Sequence, residues 1–95
     1  MRIKNILART FEHFGAEHQR NKLCEEFREL QDELYDIYVK GDDNNNLIDE
    51  GIDTIILILQ FLFNYGYDID DILETLDYRI TRLDVRLREG YYDKK

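Results

Sequence analysis

Proline is absent from all 95 positions, and that absence limits the fold more than any other feature of the chain. Proline ends or kinks a helix because it lacks an N–H and clashes with the preceding turn. Without it, long uninterrupted helices are favoured, and glycine becomes the main punctuation. The spacing of apolar residues agrees. Ile3, Ile6, Leu7, Phe11 and Phe14 share one helical face over residues 2–14, and Gly15 then breaks or bends the segment. From Ala16 to Lys40, the residues Leu23, Phe27, Leu30, Leu34 and Ile37 alternate by four and three and form one stripe. Lys40-Gly41 is a C-terminal stop, a cation followed by glycine. Residues Gly41 to Asn46 are a loop, because Asp and Asn hydrogen-bond their own backbone there.

A third helix is predicted from about Leu47 to Asn64, apolar nearly all round. Such a helix lies at the centre of a bundle or at a subunit contact. A chain of 95 residues has too little surface to cover it, so an oligomer is expected, a homodimer or homotetramer. Asn64 to Tyr67 forms a turn, Asp68 caps a last helix, and Asp71 is its acidic partner. Ile69, Ile72, Leu73, Leu76, Ile80, Leu83 and Leu87 line that helix, with Arg79, Arg82, Arg86 and Arg88 on its remaining surface. The expected fold is all-α, a single domain over residues 1–95 arranged as a four-helix-type bundle.

The formal net charge of −8 repels a nucleic-acid backbone, which argues against DNA or RNA as partner. Cys24 is the single cysteine, so no internal disulfide forms, and a reducing cytoplasmic setting is expected. No signal peptide is expected, and the apolar run from Ile55 to Phe63 is interrupted by Gln60 and too short to span a bilayer.

The acidic residues are not scattered evenly. Glu25-Glu26-x-x-Glu29 is followed, after the polar loop, by Glu50-x-x-Asp53. On a helix, residues three apart share a face about 4.5 Å apart along the axis. If the second and third helices pack antiparallel, Glu26, Glu29, Glu50 and Asp53 converge. Clustered carboxylates call for cations, and hard oxygen ligands suit Mg²⁺, with Mn²⁺ as a substitute. A rival cation site is the loop itself, where Asp42, Asn44 and Asn46 match the opening ligands of a Ca²⁺ loop. That match fails at Leu47, where glycine is needed, and at Asp53, where a bidentate Glu is needed. His13 and His18 have no Cys or His cluster around them, which argues against zinc.

The two-part acidic motif resembles the signature of the MazG-like all-α nucleoside triphosphate pyrophosphohydrolases. The lead-in Phe14-Gly15-Ala16-Glu17-His18-Gln19 with Lys22-Leu23, and the Arg-rich closing helix ending in Gly90-Tyr91-Tyr92, are also similar to members of that family. The likeness covers most of residues 11–92. It implies a helical bundle that dimerises or tetramerises around a Mg²⁺-loaded pocket and cleaves a nucleoside triphosphate to the monophosphate and pyrophosphate. It implies Glu26, Glu29, Glu50 and Asp53 as metal ligands, with Glu25 and Glu26 as catalytic carboxylates. Gln19, Lys22 and Arg82 are candidate substrate contacts. The alternative is a non-catalytic helical oligomerisation or protein-interaction module with a solvated acidic face.

Overall fold

The computed structural model describes residues 2–43 and 46–93. It is all-helical. The helices are α1 (Arg2–Phe14), α2 (Ala16–Tyr38), α3 (Leu47–Tyr65) and α4 (Ile69–Arg88), followed by a short 3₁₀ turn at Tyr91–Asp93. The glycines separate the helices as expected. Gly15 sits between α1 and α2 at φ 86°, and Gly66 closes α3 at φ 124°. The Gly66 and Tyr67 amides donate to the carbonyls of Phe63 and Leu62, which satisfies the last turn of α3 in a Schellman motif. Asp71 accepts the backbone N–H of Asp68 at 2.8 Å and closes the capping box at the start of α4. The second helix stops two residues short of Lys40, at Tyr38, with Val39 as its C-cap.

Within the chain, α1, α2 and α3 pack on one another. Leu7 and Phe11 of α1 meet Leu57 and Phe63 of α3 as the buried apolar core. Phe11 stands edge-on to Phe61 with ring centroids 5.1 Å apart. The α2–α3 contact is polar. Its buried residues are Gln19 and Glu26 of α2 with Thr54 and Gln60 of α3. Gln19 donates from Nε2 to Gln60 Oε1 at 2.8 Å. The α2 stripe is only partly turned inward. Phe27 and Leu34 are exposed, and Leu23, Leu30 and Ile37 are half-buried. The inward edge runs through Gln19, Leu23, Glu26 and Leu30, and the Gln60 amide of α3 there needs a polar partner, which Gln19 provides.

The fourth helix is different. It buries none of its residues. Its start is tied to α1 by the Lys4–Asp68 ion pair, and an apolar groove lies between Leu62 of α3 and Tyr67, Ile72 and Leu76. Beyond that point α4 leaves the three packed helices. Among the described residues, no helix is long and apolar enough to cross a membrane.

Candidate metal centre and adjoining groove

Antiparallel packing of α2 and α3 brings three of the predicted carboxylates together. Glu26, Glu29 and Glu50 each place a carboxylate oxygen within 4.8 Å of the other two. The register is fixed from both ends. At one end Gln19 and Gln60 join through their amides, and at the other Glu33 Oε1 accepts the Asn46 backbone N–H at 2.8 Å. Between them, Thr54 Oγ1 donates to the Glu50 carbonyl at 2.8 Å and packs its side chain onto the same turn.

The centre is short of hydrogen bonds. Glu26 is 5% exposed. Glu26 Oε2 and Glu50 Oε2 are both shielded from solvent and have no hydrogen-bond partner among the described residues. Unpaired buried carboxylate oxygens are costly, and such a group favours either a proton or a cation. The Glu50 carboxyl accordingly titrates above its ordinary value, first through burial and then through the neighbouring charge of Glu29 and the contact with Glu26. Lys22 supplies the nearby cation. Its Nζ lies 3.3 Å from Glu26 Oε1 and 3.8 Å from Glu25 Oε1. The hydrogen bond to Glu26 and the charges of Glu25 and Glu26 hold this ammonium above its ordinary value. One lysine against Glu25, Glu26, Glu29 and Glu50 leaves the cluster net negative.

Asp53 follows Glu50 by one turn and stands outside the three-glutamate set. It lines an adjoining groove of about 370 Å³ with Phe14, His18, Gln19, Lys22, Glu26, Ile56 and Leu57. Glu25 is half-exposed, pairs with Lys22 and stands just outside the lining of the groove. Gln19 is engaged within the chain. Its amide nitrogen goes to Gln60, and its oxygen accepts from His18 Nδ1 at 2.8 Å, the ring nitrogen that must then carry the proton. Arg82 lies on α4 and does not line the groove. Of the loop reading, Asn46 stands at the N-cap position of α3 without a side-chain cap bond, and Asn44 lies outside the described residues.

Sequence reasoning passed over one feature of this groove. The His18 ring stacks on Phe14 with centroids 4.8 Å apart and an interplanar angle of 16°. Phe14 is 49% exposed, so this aromatic plate forms an open end of the groove opposite the acidic cluster. The signal available was the Phe-x-x-x-His spacing, which crosses the predicted break at Gly15 and so is not a helical pair on its face. No protein-family model, curated protein or solved structure matches this chain.

Proposed function

We propose that the chain is a Mg²⁺-dependent nucleoside triphosphate pyrophosphohydrolase, releasing a nucleoside monophosphate and pyrophosphate. The observation that carries this reading is the pair of buried, unpartnered oxygens on Glu26 and Glu50 beside Glu29. An all-oxygen, carboxylate-rich donor set fits a hard divalent cation. Glu26, Glu29 and Glu50 would hold it, with Asp53 one turn away at the groove edge. When bound, Mg²⁺ supplies the positive charge that allows carboxylates and phosphate oxygens to share a site, and it makes water more acidic.

The remaining work falls to the chain itself. Lys22 reaches the groove and offers its ammonium to a phosphate oxygen as a point charge. Glu25, half-exposed next to Lys22, takes the proton of the attacking water. Water attacks the α-phosphorus in line, the bond to the bridging oxygen breaks, and pyrophosphate leaves. The Phe14–His18 plate suits stacking of a nucleobase at the other end of the groove. Among the described residues α1, α2 and α3 pack on one another, so the four-helix bundle implied by the resemblance would take its fourth helix from a second chain.

The test is pyrophosphate release from a panel of canonical and modified nucleoside triphosphates with Mg²⁺ or Mn²⁺. Glu29→Gln and Asp53→Asn should each lower the rate by about a thousandfold. Full Mg²⁺-dependent turnover in both variants refutes the assignment. The second reading, a non-catalytic interaction module, draws on the apolar faces left open on α2, α3 and α4. It predicts no turnover and no thermal response to Mn²⁺.

A further inference from the structure

We infer that α4 docks on the outward face of α3 in a second copy of this chain, antiparallel to it, so that two chains exchange their fourth helices in a two-fold dimer. The inference does not depend on the proposed catalysis. It begins with surface that a single chain leaves open. The accessible area is 7858 Å². A compact monomer of 11.5 kDa shows about 5,800 Å². The excess is about 2,000 Å² per chain, and two chains covering it lose about 4,000 Å², within the range of obligate homodimers. The radius of gyration points the same way, at 16.7 Å against about 12 Å for a compact chain of this length.

The spacing identifies the surfaces. Ile69, Leu73, Leu76, Ile80, Leu83 and Leu87 follow a strict four-three alternation along α4, the seam of a helix that packs side by side with another. Leu76 is 53% exposed and Ile80 56%. Outside its buried edge, α3 carries a second seam with the same alternation, Ile48, Ile52 and Ile55 continuing to Leu59 and Leu62. Each chain thus holds both halves of the contact, as a self-complementary two-fold interface requires.

Charge sets the direction. The first half of α4 holds Asp70, Asp71, Glu74 and Asp77 and no base, and the second half holds Arg79, Arg82, Arg86 and Arg88 against one acid, Asp84, which pairs with Arg88. No Lys or Arg lies on α3, and Asp49 is the acid that flanks its outward seam, since Glu50 and Asp53 turn toward α2. Antiparallel docking places the arginine half of a partner's α4 beside this acidic end. Parallel docking would set acid against acid.

The experiment is sedimentation equilibrium of the full chain with circular dichroism on the same samples. The wild type should run at twice 11.5 kDa, with a melting temperature that rises with protein concentration. Ile80→Glu and Leu76→Glu should weaken association by at least about a hundredfold while α1–α3 stay helical, since α4 buries nothing within its own chain. Asp49→Arg should weaken it by about two- to fivefold. A monomeric wild type with a concentration-independent melt, or an oligomer indifferent to both α4 variants, overturns the proposal. Tighter association of Asp49→Arg overturns the antiparallel arrangement.

Discussion

Replacing Gln60 by Leu should destabilise the protein far more than a surface glutamine would. Gln60 is 3% exposed and Gln19 4%, and one hydrogen bond of 2.8 Å joins them between α2 and α3. The substitution keeps the volume and removes the acceptor, leaving the Gln19 amide N–H buried without a partner. An orphaned buried donor costs about 1–3 kcal/mol. For a domain of this size each kcal/mol moves the melting temperature by about 4–8 °C, so the expected fall is roughly 5–20 °C. Gln19→Leu should do the same from the other side and also strip His18 Nδ1 of its acceptor. The double variant removes both amides at once, and its loss should be smaller than the sum of the two single losses by about 1–3 kcal/mol. Urea denaturation followed by circular dichroism, at one fixed protein concentration, measures all four proteins. The pair also sets the register that brings Glu26 to Glu50, so all three variants should bind Mn²⁺ more weakly than the wild type. Single variants within about 0.5 kcal/mol of wild type, or strictly additive losses, would refute a structural role for this bridge.

A metal centre stabilises the fold by mass action, so Mn²⁺ at a hundred times its dissociation constant should add about 2.7 kcal/mol and raise the melting temperature by about 10–20 °C. Glu29→Gln should abolish most of that response in a thermal melt. Without divalent cation, the raised folded-state pKa of Glu50 gives a stability contribution that is fully present below the ordinary value of 4.5 and lost as pH rises through the folded value. Melting in EDTA should therefore be less favourable above that window than below it, and Glu50→Gln should flatten this component of the profile. Asp68 has the opposite sign, because its bond to Lys4 holds the carboxyl below its ordinary value of 3.8. Its contribution is present above that value and lost as pH falls through the folded one. Lys4→Met should move the Asp68 titration, followed by NMR, back up toward the ordinary value. Gly66→Ala forces a side chain onto φ 124° and should cost about 1–2 kcal/mol in urea denaturation.

Helix boundaries were legible because glycine at positive φ, a capping box and the lack of proline act locally. The rotation of α2 was not. Its apolar stripe predicts which face seeks burial, but the packed face is turned part of the way round, so that Gln19 and Glu26 are buried, Leu23, Leu30 and Ile37 are half-buried, and Phe27 and Leu34 are left exposed. Gln60 carried the missing information. In sequence it only interrupts an apolar run, whereas in the fold it is the partner that turns α2. The convergence of Glu26, Glu29 and Glu50 followed from i, i+3 spacing on two antiparallel helices. The position of Asp53 at the groove edge depends on the roll of α3 about its axis, which spacing does not fix. The α4 stripe announced an apolar face without saying that its own chain would leave it uncovered.

A single residue, Gly15, separates α1 from α2, and the Phe14 and His18 rings lie face to face across it. Such a joint has no slack. Any tilt of α1 acts as a lever on the Phe14 ring and changes the width of the groove mouth, so the packing of Leu7 and Phe11 several residues away governs how far that mouth can open.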